Sequence, residues 1–209
     1  MLIFARQATL ANGQQLAGTT FAVEIAAQAS AITGAPISVY QSVFGLPLGT
    51  ILWTERLESQ AEFGAQTAKL MGNAAYVSAV DKAGHLFAPG AEDLLINVVS
   101  TSTSLNAPKP IVITTTATLA NGKFEQSMEF GVTVQQHLAK TTGFGTTFAT
   151  DVFGTYGGVR WMTGVDTMAE VDTFQQALGT DTALVALVSS AADLFVPGSG
   201  RNGLLQRIN

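Results

Sequence analysis

Apolar residues recur along this chain in two rhythms that alternate in a fixed order. The stretch LIFARQATL (Leu2–Leu10) reads as a strand, closed by the turn pair Asn12-Gly13. Phe21, Ile25, Ala29 and Ile32 then fall at helical spacing, and Gly34 ends the helix they predict. PISVYQSVF (Pro36–Phe44) and TILWTERLE (Thr50–Glu58) flank a turn bearing Gly and Pro, and predict a hairpin. A second helix is predicted from Ser59, because Glu62 stands at capping-box spacing, and a break near Asn73 divides it. A last strand is predicted over Leu94–Val99. The order β-α-β-β-α-β is the ferredoxin-like unit, a four-stranded antiparallel sheet with both helices on one face.

The chain then repeats itself. ATLANG occurs at Ala8–Gly13 and again at Ala117–Gly122, and an ordered series of matches follows: Phe21/Phe130, Gly34/Gly143, Phe44/Phe153, Trp53/Trp161, Glu62/Glu170, Phe87/Phe195 and Pro89/Pro197. The second copy has its own opening strand (IVITTTATL), a helix stripe at Phe130, Val134 and Leu138, and a hairpin of GTTFATDVF and VRWMTGVD. A second helix begins at Thr167, breaks near Gly179-Thr180 and leads to a strand over Leu204–Ile208. These matches predict a tandem duplication: one repeat over 1–100, a linker over 101–109 and a second repeat over 110–209. Large apolar residues fall on both faces of the strands, Ile51, Trp53 and Leu57 against Leu52, or Val39 and Val43 against Tyr40 and Phe44. A sheet covered on one side alternates cleanly, so the second face needs a cover, which the other copy can supply. The expected fold class is α+β: two tandem ferredoxin-like repeats packed sheet to sheet as an intramolecular α+β barrel.

The hairpin followed by LWTERLESQAEFGAQTAKLMGNAAY resembles the dimeric α+β barrel superfamily, and within it the NIPSNAP-like and antibiotic-biosynthesis-monooxygenase-like groups. The resemblance implies a pairing of two sheets, here built into one chain, and a pocket-lining role for the tryptophans of the third strands, Trp53 and Trp161. Cofactor-independent monooxygenases and haem-degrading members of that superfamily also tend to carry an Asn in the first strand and a His on the second helix. Neither first strand here holds an Asn, and neither second helix holds a His. Haem handling and quinone-forming oxygenation are therefore not expected, and no cofactor is.

Composition narrows the chemistry further. Of 209 residues 47% are hydrophobic and 12% charged, with a net charge of −5 and no cysteine. The basic residues are scattered and form no stripe for nucleic acid or an anionic membrane. No apolar run approaches the ~20 residues that span a bilayer. A cytoplasmic location is expected. Two histidines without metal-ligand spacing predict no metal site. GSGRNG (Gly198–Gly203) precedes a strand rather than following one, so it is not a dinucleotide fingerprint. Candidate catalytic residues are His137, Asp151, Tyr40 and Arg6, and candidate ligand-binding residues are Trp53, Trp161 and Arg160. Because Gly131, Gly157, Gly158 and Gly164 stand where the first copy has Ala22, Leu48 or Gly49, Thr50 and Arg56, any pocket is expected in the second. Two functions compete: a binding or structural module for a small apolar ligand or protein partner, and a cofactor-independent monooxygenase or isomerase of a small hydrophobic compound. The low charge further predicts assembly into a homo-oligomer.

Overall fold

A computed structural model describes residues 1–103 and 107–209, so the expected linker lies partly outside the described residues. The elements run β1 (Leu2–Thr9), α1 (Gln15–Thr33), β2 (Ser38–Phe44), β3 (Thr50–Leu57), α2 (Gln60–Met71), α3 (Ala74–Lys82) and β4 (Glu92–Thr101). The same order then recurs as β5 (Ile111–Thr118), α4 (Phe124–Thr142), β6 (Gly145–Phe153), β7 (Gly158–Val165), α5 (Met168–Thr180), α6 (Thr182–Ser189) and β8 (Arg201–Arg207). The fold class is α+β, with the strands hydrogen-bonded as a closed barrel in the order β1-β3-β2-β8-β5-β7-β6-β4. A one-turn 3-10 helix at Gly84–Leu86, unforeseen from the sequence, precedes β4. Among the described residues no helix is long and apolar enough to cross a membrane.

Two compact units divide the chain. Unit 1 comprises Met1–Ile96 with Gln206–Asn209, and unit 2 comprises Asn97–Leu205. In unit 1 the final residues close onto β2: Ile208 N–H donates to Val39 O at 2.9 Å, and Asn209 Oδ1 accepts from Val39 N–H at 2.9 Å. In unit 2 the end of β4 joins β6 and α4, with Ser100 Oγ donating to Gln135 Oε1 at 2.8 Å.

The repeated hexapeptide is a joint. In unit 1 Ala11 N–H donates to Leu86 O at 2.9 Å and Ala88 N–H to Thr9 O at 2.8 Å. Unit 2 makes the same pair of bonds, Ala120 N–H to Leu194 O at 2.9 Å and Val196 N–H to Thr118 O at 2.8 Å. Each Asn-Gly turn then needs a left-handed residue, supplied by Gly13 at φ 78° and Gly122 at φ 75°. The same six letters end a strand, pin the loop before the last strand and launch the first helix.

Helix ends follow local chemistry. Gly34 and Gly143 stop α1 and α4 in the left-handed conformation. Thr167 and Glu170 form a complete capping box on α5. On α2 the box is altered: Ser59 Oγ accepts from Glu62 N–H at 3.1 Å, but Glu62 Oε2 accepts from Glu58 N–H at 2.7 Å. Each core forms between helix and sheet. Unit 1 buries Leu10, Ala22, Ala26, Val39 and Ile51 together, and unit 2 buries a larger set around Phe148, Val159, Trp161 and Phe174.

Candidate functional site

Strand register decides which side chains share a face. In unit 1 Arg6 lies across from Trp53, and Phe4 across from Glu55. Trp53 faces the helices, since its Nε1–H donates to Ala22 O of α1 at 2.9 Å. Period two then puts Glu55 on the same face, beside Phe4, whose ring meets that of Phe63 on α2 at 4.9 Å. Glu55 is 8% exposed and Gln66 of α2 is 7% exposed, and the Oε1 atom of each is buried without a hydrogen-bond partner. Burial pushes the Glu55 carboxyl above the ordinary carboxylate range, opposed by the Gln66 amide and reinforced by the charge of Glu62. Tyr76 of α3 is buried too, and burial raises its phenol while the positive charge of Arg6 pulls it back. Arg6 itself is held by Asp93 through two bonds of 2.7 Å, a contact that raises its pKa.

The corresponding layer of unit 2 is chemically bare. Thr115 stands where Arg6 does, across from Trp161, and its hydroxyl donates to Asn202 Oδ1 at 2.9 Å. Thr163 replaces Glu55 and exchanges a hydroxyl hydrogen bond with Thr146 at 3.0 Å. Phe174 replaces Gln66 and Leu184 replaces Tyr76, both buried. Tyr76 and Leu184 occupy the same cap position: each backbone N–H is taken by the N-cap residue, Asn73 at 3.0 Å and Asp181 at 2.9 Å. The candidate site is therefore the helix-facing layer of unit 1, with Glu55 and Gln66 at its centre and Phe4, Trp53 and Phe63 beside them.

The residues singled out from the sequence are distributed over several surroundings. Arg6 and Trp53 belong to this layer. Tyr40 lies across from Leu52, on the opposite face of the same sheet, and burial raises its phenol. Trp161 takes the same position in unit 2 as Trp53 in unit 1, donating from Nε1 to Gly131 O at 2.9 Å. Asp151 and Arg160 are brought together: Nε donates to Asp151 Oδ1 at 3.0 Å and Nη2 donates to the same oxygen. Their side chains are 3% and 16% exposed, so the pair is partly buried. His137 of α4 meets Asp181 Oδ2 at 2.5 Å, bracing the carboxylate that caps α6. A general-base role for His137 would compete with that brace.

The expectation of more room in the second copy is overturned. A Cβ at Gly131 would overlap the Phe148 ring, one at Gly158 the Asp151 carboxylate, and one at Gly164 the stem of Lys109. Gly157 serves a left-handed turn at φ 71°. The volume these glycines release is taken up by neighbouring side chains. Glu55 was the residue missed. Its signal was present in the sequence, for it stands two residues after Trp53 and so shares its face, and its counterpart is Thr163.

No histidine stands in this layer. The His137 ring is engaged by Asp181, and His85 is exposed with Nδ1 against Lys82 O at 2.9 Å. Among the described residues no cluster of His, Cys, Asp or Glu could hold a metal ion.

No sequence family matches this chain, and no curated protein is similar to it in sequence. Solved structures share its fold. A Fusobacterium nucleatum protein with a provisional monooxygenase designation superposes with a TM-score of 0.74 at 8% identity, over 100% of this chain and 92% of that one. An anthrone oxidase-like protein gives 0.71 at 13% identity, over 100% and 91%. The haem-degrading enzyme of Listeria monocytogenes gives 0.53 at 9% identity, over 99% of each chain.

Proposed function

We propose that unit 1 binds a small, largely apolar compound against the helix-facing side of its sheet and exchanges a proton with it through Glu55. The observation that carries this reading is the Glu55 carboxyl itself, more than nine-tenths buried, with one oxygen unpartnered among aromatic side chains. Buried carboxyls with raised pKa values are suited to general acid–base work near neutral pH, and structural positions rarely leave one unsatisfied. Phe4, Trp53 and Phe63 supply apolar contact, and the polar atoms are few and convergent, as small-molecule sites require. Proton transfer to or from such a compound is the opening step of monooxygenation and of isomerisation alike. The name of one structural neighbour, anthrone oxidase-like, suggests a first compound, an apolar aromatic ketone.

Tandem duplication, with repeats over 1–100 and 110–209, accounts for the one-sidedness: one copy keeps the chemistry while the other keeps the frame. Homo-oligomerisation belongs to the same proposal, with exposed Phe44 and Phe153 at matched hairpin ends as the apolar surface. Fluorescence titration with anthrone tests the site, using a Trp161→Phe background so that Trp53 alone reports. Saturable quenching that disappears in Glu55→Leu supports the reading. Equal binding with and without Glu55 removes the carboxyl from the site, and no quenching in either case returns the protein to a structural role.

A further inference from the structure

We infer that Glu55 is held as a neutral acid whose O–H donates to the Gln66 amide oxygen, and that this acid–amide pair selects a compound carrying a carbonyl beside a hydroxyl. The selectivity rests on the binding reading above, whereas the state of Glu55 does not.

The orientation of Gln66 is fixed from outside. Its Nε2–H donates to Glu62 Oε1 at 3.3 Å, and the other Glu62 oxygen accepts from Glu58 N–H at 2.7 Å. Glu62 thus accepts at both oxygens, and turning the amide over would set carbonyl against carboxylate. Gln66 Oε1 is buried, with no donor. The Gln66 amide also donates to the Glu55 carboxyl, while Oε1 of Glu55 is itself buried and without a donor, so a proton on that oxygen would make the contact reciprocal. An ionised carboxylate offers only acceptors, so both Oε1 atoms would stay buried without a donor. One proton on Glu55 turns the deficit into a donor and an acceptor.

The charges that face Glu55 agree with this. Burial disfavours ionisation most and the charge of Glu62 on α2 adds to it, together outweighing the Gln66 amide, which favours the charged form. Arg6, on the same sheet face, is engaged on two of its nitrogens by Asp93 of β4, and Tyr76 of α3 is pushed toward its neutral form by burial.

A ligand that enters the pair must satisfy both ends. The Glu55 O–H can turn to a ligand carbonyl, and the released Gln66 Oε1 then accepts from a ligand hydroxyl. An ionised Glu55 would demand two donors instead. That difference separates three probes: ortho-hydroxyacetophenone, ortho-methoxyacetophenone, which lacks the donor, and catechol, which lacks the carbonyl.

The test joins calorimetric binding of these probes with infrared difference spectra of the free protein against Glu55→Gln. The spectra should show a protonated carboxyl band at neutral pH that the variant lacks. The hydroxyketone should bind best, with the methyl ether about tenfold weaker for one lost buried hydrogen bond. Its affinity in the parent should fall as pH rises through the Glu55 titration. Glu55→Gln, which keeps a donor but cannot ionise, should bind without that pH dependence. The double variant Glu55→Thr with Gln66→Phe carries the residues of unit 2 and should fold but bind none of the probes. Absence of the carboxyl band, or tighter binding of catechol than of the hydroxyketone, overturns the inference. A band present with no probe bound overturns the binding reading and the selectivity with it.

Discussion

The two units have the same frame and differ in what they bury. Each hangs an indole N–H on a helix carbonyl, Trp53 on Ala22 and Trp161 on Gly131. Each gathers a phenylalanine from the first helix and one from the loop before the last strand around that indole, Phe21 and Phe87 or Phe130 and Phe195. Where the units differ, most changes come as compensated sets. Ala22 with Val39 in unit 1 becomes Gly131 with Phe148 in unit 2, bulk passing from helix to strand. Ser42, Thr50 and Leu52 become Asp151, Gly158 and Arg160, a neutral patch exchanged for an ion pair with room made for its carboxylate. Arg6 with Asp93 becomes Thr115 with Asn202, charge exchanged for a neutral hydrogen bond. Glu55, Gln66 and Tyr76 stand apart. Against Thr163, Phe174 and Leu184 they leave two buried oxygens unpartnered, and that uncompensated set marks the site.

The ion pair of unit 2 and the bulk exchange in its core give the largest expected effects. Asp151→Ala leaves a partly buried Arg160 without its partner and should lower stability by about 2 kcal/mol, less than a fully buried pair because the guanidinium keeps some solvent. Asp151→Ser with Arg160→Leu, which installs the residues of unit 1, should recover most of that loss. Chemical denaturation of the three proteins measures both numbers. If the double variant is as unstable as the single one, the set is not compensated and the comparison between units fails at this position.

Bulk exchange in the core comes next. Gly131→Ala drives a Cβ into the Phe148 ring and should cost about 2 kcal/mol, as overpacking does. Phe148→Val alone opens a cavity and costs a similar amount. Combined, they recreate the Ala22–Val39 pairing of unit 1 and should cost much less than the sum, a coupling that a double-mutant cycle reads directly. Additive losses would mean that the ring and the glycine are not a matched pair.

Such sets explain which parts of the molecule were legible in the sequence. The elements were, because their signals are local: the Asn-Gly turns, the stops at Gly34 and Gly143, and the caps at Ser59, Thr167 and Asn73 each act within a few residues. Barrel closure was legible from strands apolar on both faces, Leu52 and Tyr40 against Ile51 and Trp53. The glycines misled because a missing side chain reads as space, and only tertiary packing shows what fills it: Phe148 at Gly131, Lys109 at Gly164. Glu55 was not legible because a single carboxylate in a strand gives no sign of what covers it. The cover is Gln66, on another element, and its contrast with Phe174 carries meaning only once both helices are laid on their sheets.

Removing the chemistry of unit 1 should therefore stabilise the protein. The triple variant Glu55→Thr, Gln66→Phe and Tyr76→Leu replaces a buried acid–amide pair with the largely apolar packing of unit 2, and should gain about 1 kcal/mol from the polar desolvation it avoids. The pH dependence sharpens this. A carboxyl raised in the folded state binds its proton more tightly there than when unfolded, so its contribution is complete below the unfolded pKa. It is lost as pH rises from that value through the folded one. The parent should lose stability over that window relative to the variant, and the difference should then level off. A parent and variant whose stabilities run parallel across it would remove Glu55 as a titrating buried group.

The smallest effect belongs to the helix caps, where the units differ by one charge. Asn73 caps α3 and Asp181 caps α6, each through a side-chain oxygen accepting the N–H three residues on. Only in unit 2 is the cap braced by a histidine, His137, at 2.5 Å. The Asp181 carboxyl is held below the ordinary range, first by the Leu184 N–H and then by His137. A depressed carboxyl contributes stability above its unfolded pKa and loses it as pH falls through the folded value. Asp181→Asn would keep the backbone cap, as Asn73 does, and remove the titration. Its Tm should sit slightly below the parent at neutral pH and converge with it as the medium is acidified, because protonation does to the parent what the substitution has already done. His137→Ala should reproduce part of the neutral-pH loss without exceeding it, since the Leu184 bond survives. A Tm gap that stays constant into acid would show that the charge on this cap contributes nothing, and that the two caps differ in sequence alone.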